Sequence, residues 1–205
     1  MFLHHETYAM NLGYQNELEG RVARLHLMQA KAPGYVGSEF FRYAGNTETY
    51  LALRFWNERA DALAYAQTEE FRTYLHNRPP DSYVRQPEME YYELAHEGRG
   101  TGKANLGILV QFDTLPGQHR AWEQAEIAFA PVFQAAPGFH SIRLFRYLGG
   151  PTRFLRVALW ETRTALQAFL ESPERLEHQR SSPRGLLRVP STHRIYDILQ
   201  RLPER

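Results

Sequence analysis

Apolar residues are arranged as in a β-strand in some stretches of the chain and at the spacing of an α-helix in others. The same order of stretches occurs twice. Residues 106–112 cluster apolar and β-branched side chains, which predicts a buried strand. Residues 16–31 and 118–135 carry apolar side chains at helical spacing, and each stretch ends just before a Pro-Gly pair. The pattern therefore predicts that each half of the chain opens with a strand followed by a helix.

A hairpin is predicted after each Pro-Gly pair. Its two extended segments are joined by a short turn that contains glycine, and they cover 35–44 with 47–56 and 139–148 with 151–160. The rest of each half predicts a helix, a shorter helical piece and a last strand. The helices cover 58–66 and 162–171, and the last strands cover 87–95 and 191–199.

The two halves are copies of one unit. Ala32-Pro33-Gly34-Tyr35 recurs as Ala136-Pro137-Gly138-Phe139, and the same offset of 104 residues holds without a gap for scattered matches. These matches include Phe41-Arg42-Tyr43 with Phe145-Arg146-Tyr147, Trp56 with Trp160, and Glu70 with Glu174. The sequence predicts two domains, 1–97 and 105–205, joined by a flexible Gly-rich linker over 98–104.

The order β-α-β-β-α-β defines the ferredoxin-like unit, whose helices cover one face of an antiparallel sheet. The other sheet face must also be covered. Two such units solve this most simply when their sheets face each other, because that removes apolar surface from water at about 25 cal/mol per Å². We therefore predict an α+β fold in which one chain forms a covalent pseudo-dimer.

The amino-acid composition excludes several kinds of functional site. The 205 residues include no Cys, which excludes thiol nucleophiles, Cys-ligated zinc, iron–sulfur clusters and disulfides and favours a cytoplasmic protein. A net charge of +1 gives no basic field for nucleic acid, and no apolar run is long enough to span a membrane. Adjacent His4, His5 and Glu6 point to alternating faces of a strand, so no metal site is predicted.

The motifs that repeat resemble those of the antibiotic biosynthesis monooxygenase family over nearly all of both copies. They are Ala-Pro-Gly-aromatic after a helix, Phe-Arg-Tyr on the next strand, and Trp56-Asn57-Glu58-Arg59 or Trp160-Glu161-Thr162-Arg163 at a strand-to-helix junction. The resemblance implies a dimeric α/β barrel, here within one chain, and a pocket between the sheet and helices of each unit. Members include cofactor-independent oxygenases of polycyclic phenols and quinones, and haem-degrading enzymes.

Positions carried over from the two enzyme branches give the candidate residues. The oxygenase positions hold Ala52, Ala62 and His76 in copy one, and Arg156, Leu166 and Arg180 in copy two. The haem positions hold Thr7, Tyr65 and Leu75, and Gln111, Phe169 and Gln179. His76 and His178 each lie one residue from the haem-ligand position, so a small helix shift would bring either into place.

The resemblance thus implies a monooxygenase, an oxidoreductase, that acts without a cofactor on a small aromatic or quinone-like molecule. Haem binding or degradation, and non-catalytic ligand binding, are the alternatives. The catalytic candidates are His76, Tyr65 and Arg180. The pocket candidates are Trp56, Thr7, Trp160, Gln111, Phe169 and His178.

Two repeated features have two interpretations each. Trp56 and Trp160 either stack on a planar ligand or fill the helix–sheet interface, and packing is favoured. Arg42 and Arg146 meet either an anionic ligand or a surface carboxylate, and the carboxylate is favoured. The pseudo-dimer is expected to be monomeric or to pair into a homodimer.

Overall fold

The computed structural model describes residues 1–181 and 185–202, apart from the side chains of Pro80, Gln179 and Ser181. The chain forms two compact units. Unit 1 comprises residues 1–92 together with the end of the chain from Ile198, and unit 2 comprises residues 93–197. In the described part of the chain, no helix is both long and apolar enough to cross a membrane.

The elements of unit 1 follow the predicted order. They are β1 (Phe2–Met10), α1 (Gln15–Gln29), β2 (Tyr35–Tyr43), β3 (Thr49–Trp56), α2 (Arg59–Ala66), α3 (Glu69–His76), a 3-10 turn (Pro80–Ser82) and β4 (Tyr83–Arg99). Strand β3 pairs antiparallel with both β1 and β2. Tyr91 of β4 stacks on Phe2 of β1, with ring centroids 5.7 Å apart.

Unit 2 repeats this order. Its elements are β5 (Leu106–Asp113), α4 (His119–Ala135), β6 (Phe139–Tyr147), β7 (Arg153–Trp160), α5 (Arg163–Leu170), α6 (Pro173–Ser181) and β8 (Thr192–Leu202). Strand β7 pairs antiparallel with β5 and β6, and β8 pairs with the other edge of β5. The predicted α+β class and the ferredoxin-like order of both copies are confirmed.

Matching irregularities support the duplication. The β2–β3 register shifts between Tyr35 and Gly37, and the β6–β7 register shifts between Phe139 and Ser141, at the same offset of 104 residues. A β-bulge at one position of a hairpin re-aims the residues that follow it. Both copies therefore inherited the same bend at the start of the hairpin.

The repeated tryptophans have the same surroundings in both units. Trp56 meets Tyr35 edge-on at 5.1 Å and 74°, and Trp160 meets Phe139 edge-on at 5.2 Å and 71°. Trp56 is 2% exposed and Trp160 is 0% exposed. Edge-to-face packing of fully buried rings stabilises the helix–sheet interface. The packing interpretation of both tryptophans is confirmed.

The segment predicted as a linker, residues 98–104, makes backbone hydrogen bonds within unit 2. Strand β4 continues through Arg99, and the backbone N–H groups of Gly100 and Gly102 donate to the carbonyls of His140 (2.8 Å) and Phe139 (2.9 Å). A Cβ on Gly100 would lie 2.4 Å from the Phe139 carbonyl oxygen. These glycines therefore allow the backbone of this segment to approach that of Phe139 closely. The division between the two units falls before Glu93.

The glycine of each Pro-Gly stop adopts a left-handed conformation, with φ of +75° at Gly34 and +73° at Gly138. We expect Gly138→Ala to lower the free energy of unfolding by about 1–2 kcal/mol or more, because an L residue is strained there. In addition, its Cβ would lie 2.7 Å from the Ala165 Cβ. Urea denaturation measures the change. Gly150→Ala is the control, since a Cβ there meets nothing within 4 Å, and an equal loss in both variants would contradict this account.

Candidate functional site

Unit 2 contains a cavity of about 560 Å³ between one face of its sheet and helices α4, α5 and α6. Sites for small organic molecules have volumes of about 300–1,000 Å³ and mostly apolar walls. The wall here is largely aromatic and aliphatic. It includes Ile108, Val110, Phe112, Trp122, Phe129, Phe133, Leu166 and Phe169.

Local periodicity explains why these side chains converge. Residues 108, 110 and 112 alternate along β5 and so share the face that lines the cavity. On α4, Trp122, Phe129 and Phe133 lie on one face at helical spacing, and Glu126 occupies the position between them. The carboxylate of Glu126 thus lies within an apolar face of the helix. Burying such a charge costs free energy unless a group of opposite charge pairs with it.

Arg156 supplies that pairing. Its Nη1 lies 2.5 Å from Glu126 Oε2, and the two side chains are 17% and 10% exposed. The guanidinium carbon lies 5.0 Å from the ring centroid of Phe112 and 5.2 Å from that of Phe133. Aromatic faces attract a guanidinium and restrict its position. Arg156 is therefore held both by a carboxylate and by two rings of the cavity wall.

His178 completes the polar group of the cavity. Its ring lies parallel to that of Phe129, with centroids 3.7 Å apart and 5° between the planes. Its Nε2 is 4.0 Å from Glu126 Oε1, which is an ion-pair distance when the imidazole is protonated. Burial raises the pKa of Glu126, but Arg156 and His178 lower this pKa by a larger amount. The net result is a pKa below the ordinary value of a glutamate. Glu126 is consequently a carboxylate at neutral pH.

Unit 1 places its acidic and basic residues differently. Arg54 Nη1 lies 2.6 Å from Glu6 Oε2, and these side chains are only 1% and 2% exposed. Arg54 also donates to the Tyr8 hydroxyl (2.8 Å), which in turn donates to Glu6 (2.7 Å). Arg78 contacts the other Glu6 oxygen at 3.3 Å. Burial raises the pKa of Glu6, but its basic neighbours, of which Arg54 has the largest effect, lower this pKa to about 2.

The offset of 104 residues shows how the copies diverged. Arg156 and Glu126 correspond to Ala52 and Val22, whereas Arg54 and Glu6 correspond to Ala158 and Val110. Each of these two Arg–Glu pairs therefore occupies positions that are apolar in the other unit. In unit 1 the pair is fully buried, and in unit 2 it lines the cavity. His178 corresponds to Tyr74, whose ring lies 5.1 Å beneath the Arg21 guanidinium.

The structure brings together two of the predicted pocket residues of copy two, Phe169 and His178. Trp160 lies behind Phe169, with ring centroids 5.0 Å apart, and is not among the described residues that line the cavity. Gln111 is exposed, because it faces away from its neighbours Val110 and Phe112. Arg180 is exposed on α6 and does not line the cavity.

The predicted residues of copy one do not form one site. Tyr65 packs between Trp56 and Phe71, with centroid distances of 5.5 Å and 5.3 Å. Thr7 is half-buried and alternates with the inward-facing neighbours that bind Arg54. His76 is exposed at the end of α3. A shift of one residue along a strand or a helix changes the direction of a side chain, and this is why the three residues do not meet.

The prediction for the repeated arginines can be compared with the structure at Arg146. Arg146 forms a two-point ion pair with Glu123, at 2.7 Å from Nε and 2.5 Å from Nη2, so the surface-carboxylate interpretation is confirmed for this residue. Among the described residues, no group of three or more His, Asp or Glu side chains is placed to hold a metal ion. His5 instead lies 3.7 Å from Glu90.

Sequence reasoning missed Trp122 and Glu126 as members of the site, and it named Arg156 only as the residue at an oxygenase position, without a role. One signal was available: Glu126 and Arg156 are charged where the other copy has Val22 and Ala52. A charged residue that replaces an apolar one on a buried face needs a reason, either structural or functional.

Comparisons with solved structures agree on the fold. A provisionally assigned monooxygenase from Fusobacterium nucleatum has a TM-score of 0.83 at 6% identity, covering 98% of this chain and 93% of its own. An anthrone oxidase-like protein has a TM-score of 0.71 at 13% identity, covering 98% and 92%. A haem-degrading enzyme from Listeria monocytogenes has a TM-score of 0.56 at 12% identity, covering 96% and 99%.

A search of curated proteins finds no match. The model of the antibiotic biosynthesis monooxygenase family matches residues 1–77 and again residues 106–181, one match in each copy and together well over half of the chain. Both matches include the Ala-Pro-Gly stop and the tryptophan that ends the hairpin. The chain therefore belongs to the antibiotic biosynthesis monooxygenase family, with two copies of the domain in tandem.

Proposed function

We propose that unit 2 is a monooxygenase that oxidises an aromatic or quinone-like small molecule without a cofactor. The observation that carries the proposal is the 560 Å³ cavity with aromatic walls, in which Arg156, Glu126 and His178 converge. The family and the fold support a monooxygenase. The aromatic wall supports a planar substrate, because rings stack favourably on one another in offset or tilted arrangements.

Oxygen chemistry without a cofactor requires a substrate that supplies its own electrons. A substrate with an acidic methylene or phenol loses a proton, and the resulting carbanion or phenolate transfers an electron to O₂. In the overall reaction, a methylene group and O₂ give a carbonyl group and one water molecule. The two hydrogens of the methylene reduce one oxygen atom to water, so no external reductant is needed.

The three polar residues that converge in the cavity each have a role in this reaction. His178 accepts the substrate proton, since an imidazole that lines the cavity can act as a general base. Glu126, held as a carboxylate by Arg156, stabilises the imidazolium that forms. The surrounding rings of Phe112, Trp122 and Phe129 exclude water from the reactive anion.

Oxygen uptake tests the proposal. The chelator-treated full chain should consume O₂ with 1,8-dihydroxyanthrone and release the corresponding quinone and water. His178→Phe keeps a ring against Phe129 but removes the base, so we expect kcat/KM to fall about 100-fold. The matched variant is Tyr74→Phe, at the corresponding position of unit 1, and it should retain wild-type activity.

Two results would contradict the proposal at different levels. Unchanged kcat/KM in His178→Phe would show that another group takes the proton. An absence of oxygen uptake above the uncatalysed rate, across anthrones, naphthols and hydroquinones, would overturn the oxygenase itself.

Haem is the second candidate ligand, because His178 lines the cavity and was one of the two histidines next to the haem-ligand position. His178 would hold the iron, and Arg175 and Arg188 in the same wall would bind the propionates. Titration with hemin distinguishes the two candidates. A one-to-one Soret shift that His178→Phe abolishes would favour haem, whereas the cofactor-free oxygenase predicts no shift that depends on His178.

A further inference from the structure

Unit 1 contains a cavity of about 260 Å³ where the end of α1, the turn that follows it, α2 and the start of α3 meet. We call it the α2 cavity. None of the described residues that line it belongs to a strand, so it is separate from the cavity of unit 2, which lies against a sheet. The apolar part of its wall consists of Met28, Ala32, Pro33 and Ala64.

The polar part of the wall comes from three neighbouring segments. Asp61 and Tyr65 are four residues apart on α2, so they lie on one face of that helix. The carboxyl group of Asp61 occupies the space that a Cβ on Gly34 would need, and it therefore lies against the turn that carries Lys31. Glu70 enters the wall from the first turn of α3. As a sphere, a volume of 260 Å³ is about 8 Å across, so one small ligand contacts all of these groups.

The charged groups of the α2 cavity carry both signs. Its wall includes the ammonium group of Lys31 and the carboxylates of Asp61 and Glu70. Among the described residues, none forms an ion pair with any of these three. Asp61 accepts a hydrogen bond at Oδ2 from the backbone N–H of Glu58, at 3.2 Å, which leaves its other oxygen for a ligand. A ligand that carries one cation and one anion would therefore meet both signs.

The hydroxyl of Tyr65 is independent evidence for a ligand. Tyr65 is only 6% exposed and lines the cavity, yet no group in the described part of the chain forms a hydrogen bond with its hydroxyl. Burial, followed by the negative charge of Glu70, raises the pKa of Tyr65 to about 12, so the hydroxyl keeps its proton. A buried polar group without a partner costs free energy, which a polar group of a ligand would offset.

The polar residues of the α2 cavity are specific to unit 1. At the offset of 104 residues, Lys31, Asp61 and Tyr65 correspond to Ala135, Ala165 and Phe169. Unit 2 thus forms the same Pro-Gly turn and the same helix with apolar side chains at these positions. The shared fold does not require the polar groups, which leaves a function particular to unit 1.

We propose that the α2 cavity binds an aliphatic amino acid in its zwitterionic form. The carboxylates of Asp61 and Glu70 bind the ammonium group of the ligand, which also donates a hydrogen bond to the Tyr65 hydroxyl. The ammonium group of Lys31 binds the carboxylate of the ligand. Hydrogen bonds between charged groups are stronger than neutral ones, so the charges set the specificity. The side chain of the ligand contacts the apolar part of the wall.

Three probes that differ in their charged groups test the proposal. Leucine has both groups, 3-methylbutylamine lacks the carboxylate, and 4-methylpentanoate lacks the ammonium group. Isothermal titration of the full chain at pH 7.5 should show that leucine binds at least about tenfold more tightly than either analogue, because each analogue loses one set of charge-assisted hydrogen bonds. Raising the salt concentration should weaken leucine binding, since Lys31 and Glu70 are exposed.

Variants assign the binding to the α2 cavity. Lys31→Met should lower the affinity for leucine at least about tenfold and leave that for 3-methylbutylamine unchanged, whereas Glu70→Gln should lower both. Lys103→Met is the control for the first variant, because Lys103 is the only other lysine and lies in unit 2. Glu69→Gln is the control for the second, because Glu69 does not line the cavity. All four residues are exposed, so their replacement leaves the fold intact.

Each possible contradiction has a separate meaning. Equal affinities for leucine and 3-methylbutylamine would overturn the zwitterionic ligand. Leucine binding that is as tight in Lys31→Met and Glu70→Gln as in their controls would overturn the location. Failure of alanine, valine and leucine alike to bind would overturn the proposal as a whole. None of these results bears on the proposed oxygenase, because oxygen uptake is assigned to unit 2 and is measured without an amino acid.

Discussion

Replacing Arg54 with Met should lower the free energy of unfolding by about 3–5 kcal/mol, the usual cost of leaving a buried charge without its partner. Glu6 is 2% exposed and loses its 2.6 Å contact in this variant, and Tyr8 loses the donor at 2.8 Å. Arg78 remains at 3.3 Å but is 20% exposed, so it compensates only in part. Urea denaturation of both proteins at pH 7 measures the loss.

Two controls show whether burial is the cause. The double variant Glu6→Leu/Arg54→Met removes both charges, so we expect it to be more stable than Arg54→Met alone. Arg146→Met breaks the exposed pair with Glu123, in which Arg146 is 47% exposed, and should cost less than about 1 kcal/mol. A loss in Arg54→Met as small as that in Arg146→Met would contradict the account of unit 1.

Acidification from pH 7 to pH 5 should destabilise the chain through three histidines, of which His26 is fully buried and His4 and His5 are partly buried. Burial, aided by Arg54, lowers the pKa of His26 to about 3 and that of His4 to about 4, and burial lowers the pKa of His5 to about 4. In the unfolded chain these groups titrate near 6.5. Below pH 6.5 the unfolded chain therefore binds more protons than the folded chain, and stability falls as pH falls.

The size of the effect follows from the same linkage. Each depressed pKa contributes stability that is fully present above pH 6.5 and is lost as pH falls towards 4, or towards 3 for His26. At pH 5 the loss is about 2 kcal/mol for each histidine, from about 1.4 kcal/mol per pH unit. Chemical denaturation at a series of pH values between 7 and 5 measures the slope of stability against pH.

Matched histidine variants test the assignment. His26→Leu removes one of the three protons taken up on unfolding, so the slope of stability against pH should fall by about one third. His76→Leu is the control, because His76 is exposed, and it should keep the wild-type slope. An unchanged slope in His26→Leu would show that the acid sensitivity has another source.

The repeated elements could be predicted from the sequence because their signals are local. The predicted helix 16–31 is observed as Gln15–Gln29, since the Pro-Gly pair after it stops a helix in both copies. The last strands were predicted as 87–95 and 191–199, but they extend over Tyr83–Arg99 and Thr192–Leu202. Both strands contribute residues to both units, which no local sequence pattern indicates.

The site was harder to predict, because the direction of a side chain depends on single-residue shifts. Carrying over the first-strand position of the haem-degrading branch selects Gln111, whereas its neighbours Val110 and Phe112 line the cavity. The two Arg–Glu pairs also escaped the comparison of the copies. Arg156 and Arg54 lie two positions apart in the aligned strands, so each is matched with an alanine. Only the folded structure shows that both arginines face the helices.

The central claim, that unit 2 carries the activity and unit 1 does not, is tested most directly by oxygen uptake in two corresponding double variants. Glu126→Leu/Arg156→Met removes the charged pair of the cavity, and Glu6→Leu/Arg54→Met removes the buried pair of unit 1. With 1,8-dihydroxyanthrone, we predict that kcat/KM falls about 100-fold in the first variant, because His178 loses its carboxylate, and stays at the wild-type value in the second. Equal activities in the two variants, or a loss only in the second, would contradict the account.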